Sequence, residues 1–488
     1  MKIPVERKDI KFYPDCKRVI ARFLNYGDTR TKTLIKRVYA LSEKDAKATL
    51  SQTLREFTKR HRNITRIFEN HYEKIKYLME ELSIDDATLS MHKKLLIGAY
   101  CTMEYSVESA ALFNPSIIED PDQSDLEEGQ KRVILSFRAV GEGHISSLVF
   151  RSGIIDKYNN LSFLESGTMV EEAVMIKQHQ YNKELFEKKL NKIQHIEEIG
   201  NRVSELLKED FTYLDLKNAM REILFTTNLD PQQKDTLRKI VWLADLHYNV
   251  QFSLDTDLSE RVIYPVAESE NKGIEDARFV LFQDEEGHNS YYATYTAFDG
   301  YKIGPKLLHT HDFYTFESMP LHGDGAQNKD LALFPRKING KYAMVARVDG
   351  INTYIMYSDT ITIWENPIKI QEPRYPWEYV QVGNCGSPME TEKGWLIITH
   401  GVGPMRRYCL GASLFDLIDP TKEIGRLKEP LLAANIAERE GYVPNVVYSC
   451  GSMIHNNQVI IPYAMSDFAS SFITVPLDKL LKKLINGD

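Results

Sequence analysis

The sequence predicts a mainly β fold, a five-bladed β-propeller with an N-terminal helical extension and a helical insertion. A strand–turn–strand unit recurs along the chain, and each copy is followed by a further strand, as four-stranded blades require. Two other stretches break the alternation with helical periodicity. With 488 residues, 43% hydrophobic and 27% charged, the chain has room for one large domain with additions or for two or three domains. Stacked sandwiches are the structural alternative.

In the first hundred residues Leu34, Ile35, Val38 and Leu41 keep a helical spacing, and Ser42 with Asp45 forms a capping box for the next helix. Leu50, Leu54 and Phe57, then Ile64, Ile67, Phe68, Tyr72 and Ile75, extend the apolar stripe. The basic run Lys59-Arg60-His61-Arg62 reads as the wet face of an amphipathic helix, not as a phosphate contact. The first β unit runs from Phe113 through 133–137 to 147–151. A helical stretch near 180–247 then intervenes, carried by Phe186, Leu190, Ile193, Ile196, Val203 and Leu207 and, past Asp230-Pro231, by Leu237, Ile240 and Leu243. The later units pair 278–283 with 291–298, 331–338 with 342–348, 388–391 with 395–400, and 450–454 with 459–464. The expected division is a helical extension at 1–104 and a propeller at 105–488, interrupted at about 180–247. The amphipathic helices at 29–80 and 180–210 are expected to pair subunits into a homo-oligomer.

Composition narrows the function. A net charge of −8 argues against a nucleic-acid surface built on global basicity. Five scattered cysteines, Cys16, Cys101, Cys385, Cys409 and Cys450, are odd in number and lack ligand spacing, which points to reduced thiols. The charged N-terminus has no apolar signal core and no 18-residue apolar run occurs, so a cytoplasmic protein without a membrane span is expected. His309 and His311 have no third ligand at useful spacing, so no metal is expected. Gly141-Glu142-Gly143-His144 opens no helix, and Gly451-Ser452 lacks a nucleophile elbow.

In a propeller the innermost strand of each blade lines the central channel, so polar residues near the start of each unit converge there. These are Asn114 and Arg138, Asp276 and Arg278, Lys329, Asp330 and Arg336, Asn384 and His400, and Asn445 and Asp467. The most informative block is Gly273-Ile274-Glu275-Asp276-Ala277-Arg278, an acidic pair beside a cation at the mouth of the strand Phe279-Val280-Leu281-Phe282. It makes Asp276 a candidate acid catalyst.

At these residues the chain resembles glycoside hydrolase family 130, the β-mannoside phosphorylases and β-mannosidases, which are five-bladed propellers. The resemblance covers roughly 105–175 and 250–488, with residues 273–278 standing where the family has Gly-x-Glu-Asp-Pro-Arg. Further matches are Phe113-Asn114-Pro115, Phe137-Arg138-Ala139, Lys329-Asp330 followed by Leu333-Phe334-Pro335, His400-Gly401-Val402, Tyr408 with Gly411, and Val443-Pro444-Asn445-Val446-Val447. The helical additions resemble those of a longer-chain branch. Two departures stand out: Ala277 replaces the usual proline, and Val380-Gln381-Val382-Gly383 lacks a cation that phosphorylases tend to carry before the glycine.

The resemblance implies that Asp276 is the general acid, delivering its proton through the 3-hydroxyl of mannose while inorganic phosphate attacks with inversion. It further implies sugar contacts from Asn114, Arg138, Arg278, Lys329, Asp330, Asn384 and Asp467. Phosphate would be held by His400 and Tyr408, with Arg347 or Arg336, and with Arg406 replacing the missing charge. Phosphate is a co-substrate here; no cofactor is implied. An anionic nucleophile needs cations, whereas an inverting hydrolase needs a base about 6.5–9.5 Å from the acid. Glu378 and Glu390 are the candidate bases, and Tyr375, Trp377 and Tyr379 are candidates to stack on the leaving sugar. The expected activity is release of mannose 1-phosphate from β-manno-oligosaccharides. The alternatives are a β-mannosidase and a non-catalytic glycan-binding propeller.

Overall fold

Alternating apolar side chains fold most of the chain beyond Tyr100 into antiparallel meanders, and the protein is mainly β. The computed structural model describes residues 3–167, 169–176, 180–190, 197–227, 229–245 and 247–487. Among these residues the first meander is Ala111–Glu119, Lys131–Val140 and Ser146–Ile155, edged by Leu161–Phe163. The second is Gly273–Gln283, Asn289–Phe298, Ile303–Thr310 and Thr315–Pro320. Lys329–Leu333, Tyr342–Arg347, Thr353–Ser358 and Ile368–Gln371 form the third, and Gln381–Asn384, Gly394–Gly403, Arg407–Phe415 and Glu423–Arg426 the fourth. The fifth is Val447–Tyr448, Gln458–Met465 and Ala469–Pro476, and Glu6–Arg7 supplies its outer strand, with Glu6 opposite Thr474.

Strand residues alternate between faces, and here both faces are buried. Ile118 and Phe150 of the first meander pack with Phe279 and Ala293 of the second, and Val280 and Leu307 of the second with Met344 and Met356 of the third. Val345 and Ile355 of the third meet Trp395 and Ile397 of the fourth; Ile398 and Leu410 of the fourth meet Val459 and Ile461 of the fifth. Ile460 and Phe472 of the fifth then pack on Leu135 and Phe137 of the first. Neighbouring residues Ile460 and Ile461 thus serve two different interfaces.

Two innermost strands differ from the expected spans. In the fourth meander the first strand is Gln381–Asn384, and the expected 388–391 segment survives only as Met389–Thr391 on the same partner strand. In the fifth, Val447–Tyr448 and Met453–His455 flank an irregular Ser449–Gly451 link.

Near the N-terminus, Val19–Phe23 pairs with Thr102–Ser106, and helices lie between them at Asp28–Ala40, Glu43–Phe57, Ile64–Glu73, Tyr77–Glu81 and Met91–Tyr100. Ser42 caps the second helix by accepting from the Asp45 N–H at 3.1 Å. The basic run is neutralised locally: Arg60 and His61 reach Glu104, and Arg62 reaches Asp255 and Glu260. Helices Lys183–Leu190, Glu197–Glu205, Tyr213–Thr226 and Pro231–Asp245 share a core of their own, including Phe186, Val203, Leu216 and Ile240. Their stem is Val174–Ile176 paired with Tyr248–Gln251, which adds to the outer strand Thr315–Pro320. Ile193 and Ile196, and the side chain of Leu243, lie outside the described residues.

A buried triad ties the N-terminal segment to the first meander. Glu108 accepts from Arg18 Nε at 2.7 Å and from Arg151 Nη2 at 2.8 Å, and Arg18 also donates to the Gly167 and Ser259 carbonyls. Removing one member leaves an uncompensated buried charge. Arg18→Met is expected to cost about 3–5 kcal/mol in denaturant unfolding.

Candidate active site

In three meanders the innermost strand carries one residue more than its partner. Three steps face two between Phe113 and Ser116, between Glu275 and Arg278, and between Lys329 and Ala332. Within each bulge one residue is left-handed: Asn114 (φ 48°), Asp276 (φ 56°) and Asp330 (φ 65°). Asn and Asp tolerate this region better than other side chains, and a bulge re-aims the residue it holds. Arg406 (φ 52°) and Asp467 (φ 50°) take the same conformation at hairpin turns of the fourth and fifth meanders.

These residues share one cavity of about 160 Å³ to which all five meanders contribute. Of those singled out in the sequence, Asn114, Arg138, Asp276, Lys329, Asp330, Arg347, His400, Arg406, Tyr408 and Asp467 line it. Arg278 and Asn384 stand behind the lining. Arg278 Nη2 donates to Asp330 Oδ1 at 2.8 Å and to the Tyr448 hydroxyl at 2.7 Å, and Asn384 Nδ2 donates to the Asp330 carbonyl at 2.5 Å. Arg336 is elsewhere, forked onto Glu390 and lying over the Trp395 ring. Asn445 is held by Arg439 outside the lining.

The candidate bases are occupied too. Glu378 is buried, accepts the Arg374 and Tyr375 N–H groups and pairs with Arg426, while Glu390 holds Arg336. Trp377 packs beneath Gly401 and Gly411 and donates to the Lys428 carbonyl, a structural position between strands. Sequence reasoning missed Tyr448, whose hydroxyl donates to Asp330 at 2.8 Å, while Gln381 and, from the matched stretch 443–447, Val443 and Val446 stand on the wall. Tyr448 had no local signal, because it ends an apolar run.

Asp276 Oδ1 accepts from Asn114 Nδ2 at 2.7 Å and faces Arg138 Nη1 at 3.4 Å. Burial disfavours its ionised form, but the charges of Arg138, Lys329 and Arg278 outweigh burial and hold its carboxyl below the ordinary range. Asp330 follows the same logic further: burial opposes it, yet Arg347, Arg278 and His400 keep it ionised far below ordinary values. Asp467 goes the other way. Burial and then the Asp276 charge push it up to about 6, against Arg138, Arg406 and Lys329.

His400 is fully buried, and burial pulls it down to about 4, so it is neutral at pH 7. Its Nδ1 lies 3.3 Å from the Asn384 carbonyl, and its ring stacks on Tyr408 at 6.0 Å. A Cβ on Gly383 would sit 2.6 Å from His400 Cε1 and 2.7 Å from Asp330 Oδ2, so only glycine lets the fourth meander close on this pair. Two buried polar atoms of the lining, Asn114 Oδ1 and His400 Nε2, have no hydrogen-bond partner. Buried polar groups are rarely left so, and a ligand would satisfy them. A wider cleft of about 740 Å³ lies between the segments at 61–74 and 170–175, lined among others by Arg22, Arg62, Glu171 and Glu172. Among the described residues no group of three His, Cys, Asp or Glu side chains could hold a metal ion.

The sequence profile of glycoside hydrolase family 130, described as β-1,4-mannooligosaccharide phosphorylase, matches residues 228–485. The chain belongs to glycoside hydrolase family 130. The match spans Asp276 to Asp467 and leaves Asn114 and Arg138 outside it. A 1,2-β-oligomannan phosphorylase of Thermoanaerobacter sp. is 37% identical over 217 residues, covering 43% of this chain and 70% of the relative. The β-1,2-mannobiose phosphorylase of Listeria innocua is 30% identical over 243 residues, covering 48% of this chain and 65% of the relative. The solved structure of a Listeria innocua β-1,2-mannobiose phosphorylase bound to β-1,2-mannobiose aligns at a TM-score of 0.45 and 22% identity, over 77% of this chain and 92% of that one.

Asp467 is expected to titrate near pH 6 and to be ionised above it. In Asp276→Asn one of the two raising causes disappears, so the midpoint should fall toward the ordinary aspartate range. Carboxyl carbon NMR across pH 3–8 checks both, at a shift of about one unit.

Proposed function

We propose that the protein is an inverting phosphorylase of β-linked manno-oligosaccharides that releases mannose 1-phosphate, with Asp276 as the general acid. The observation that carries this reading is the charge makeup of the cavity, where the four cations Arg138, Lys329, Arg347 and Arg406 outnumber the carboxylates Asp276, Asp330 and Asp467, while the candidate bases are tied up elsewhere. Phosphate is already a nucleophile and needs cations to hold it, not a carboxylate to deprotonate it. Arg347, Arg406, His400 and Tyr408 form the phosphate side. Asn114, Arg138, Lys329 and Asp467 meet the mannose hydroxyls, with Arg278 and Asn384 supporting them through Asp330.

In the step itself a phosphate oxygen bonds to C1 as the C1–O glycosidic bond breaks. Asp276 passes its proton to the 3-hydroxyl, whose own proton moves to the leaving oxygen, giving α-mannose 1-phosphate and a shortened sugar. The free protein holds Asp276 ionised. A bound phosphate offsets the same cations, so it raises the proton affinity of Asp276 when the proton is needed. The circular packing of the five meanders supports a five-bladed propeller with the cavity on its axis, the helices at 28–100 and 183–245 being additions to it.

The relatives at 37% identity are named for 1,2-linked mannans, so β-1,2-linked oligomannosides come first as substrates. One observation favours hydrolysis as a second reading: Asp467 lines the cavity without a hydrogen bond and is a free carboxylate above pH 6. Incubation with β-1,2- and β-1,4-manno-oligosaccharides, with and without inorganic phosphate, separates the two. Mannose 1-phosphate formed only with phosphate is expected, and free mannose formed equally without it would sink phosphorolysis. Asp276→Asn should lower kcat by about 10²–10⁴-fold with the fold retained. If Asp467→Asn abolishes turnover and Asp276→Asn does not, the acid is Asp467. Pairing of subunits through the helices at 29–80 and 180–210 belongs to the same reading, supported by exposed Tyr39, Tyr77 and Leu206, and a monomer in light scattering would remove it.

A further inference from the structure

Glu275 precedes the proposed acid in the chain, and in a regular strand the two side chains would point to opposite faces. The bulge between Glu275 and Arg278, with Asp276 left-handed, turns both carboxylates toward the same cations. Glu275 spends each oxygen on a different meander: Oε1 accepts from Arg138 Nη2 of the first at 2.5 Å, and Oε2 accepts from Lys329 Nζ of the third at 2.9 Å. The side chain is 9% exposed, and among the described residues its ion pairs are with Arg138 and Lys329. Arg138 is therefore anchored by three groups at once. Nη2 is on Glu275, Nε donates to Ser146 Oγ at 2.9 Å, and only Nη1 leans on Asp276, at the long distance of 3.4 Å.

We propose that Glu275 is a positioning residue that holds Arg138 and Lys329 apart from Asp276, so that the acid keeps one weak cation contact instead of a closed ion pair. The inference rests on the phosphorolytic reading only for its kinetic arm. With Glu275 neutral, Arg138 loses its short partner and closes on Asp276, the nearest carboxylate left to it. Lys329 is released in the same way. Closed pairs of that kind bind the anion of an acid and disfavour its proton. The charged groups facing Asp276 are Arg138, Lys329, Arg278 on its own strand and Asp467, and the titratable Cys450 thiol of the fifth meander is kept neutral by burial. Glu275 offsets the cations among them.

A general acid works below its own titration midpoint, so activity falls as pH rises through that midpoint. Glu275→Gln removes a negative neighbour and tightens a positive one, and both changes move the midpoint to lower pH. The lost negative charge leaves the cavity more cationic, so phosphate binding is kept or strengthened. A merely structural role predicts the reverse split, with weakened phosphate binding and an unmoved pH profile.

The test compares wild type, Glu275→Gln and Glu275→Asp as full-length protein. In Glu275→Gln kcat for a β-mannoside should fall by about a hundredfold, KM for inorganic phosphate should not rise, and the alkaline limb should move down by about one unit. Glu275→Asp keeps the charge with a shorter reach, so it should return the limb toward wild type while kcat stays low. A second arm needs no turnover: the Asp276 carboxyl signal, assigned by its loss in Asp276→Asn, should titrate lower in Glu275→Gln than in wild type. If that midpoint and the limb both stay in place, the proposal is overturned. If wild type forms no mannose 1-phosphate but the carboxyl midpoint still moves, the functional reading fails and the positioning role of Glu275 stands. Should Glu275→Gln not fold, Glu275→Ala, which removes the same charge, takes its place, and an unmoved limb and unmoved carboxyl midpoint there would overturn it.

Discussion

The Asp330 carboxylate is the constraint on which the centre of the molecule depends. It is almost wholly removed from solvent, and a carboxylate in such a place is tolerated only if cations and hydroxyl donors replace its water. Those donors come from far apart in the chain: Arg278 from the second meander, Arg347 at 2.6 Å from its own, Tyr448 from the fifth. Asn384 of the fourth fastens the same residue by its carbonyl. Four meanders thus meet on one amino acid, and a shift in any of them would strand a buried charge. The positions of Arg347 and His400 on the cavity wall follow from this hub.

The same economy of geometry appears in the backbone. Left-handed residues and bulges cost free energy, of order 1–3 kcal/mol for each strained position, and they persist at Asn114, Asp276 and Asp330 because sheet pairing on both sides dictates them. A regular strand would have sent these side chains into the apolar interfaces between meanders. The bulges instead place three polar groups where strands converge, and the apolar residues beside them, such as Phe279 and Leu331, still reach their cores.

Two carboxylates in one field of cations titrate in opposite directions, because burial and a neighbouring anion outweigh the cations at only one of them. Asp276 has a hydrogen bond from Asn114 and the full field of Arg138 and Lys329, and it stays ionised. Asp467 lies near that anion without a hydrogen bond of its own, and its pKa rises. Groups whose affinities for protons are driven apart in one cavity are what acid–base chemistry uses.

Much of this was legible in the residue order. The β units, the helical stretches, the Ser42 cap and the block around Asp276 are local patterns, since alternation, helical spacing and turn residues act over a few positions. The polar residues at unit starts were legible for the same reason, as breaks in apolar runs. Arg336, Glu378, Glu390 and Trp377 were equally conspicuous as residues yet serve packing or surface pairing, because charge alone says nothing about its partner. The split inner strands of the fourth and fifth meanders, the role of Tyr448 and the pairing of Glu6–Arg7 with the last strand depend on contacts across hundreds of residues. Residue order therefore decided which elements form and which chemistry is on offer. Only the packed fold decided which side chains share the cavity, since burial and counter-charge are properties of neighbours in space.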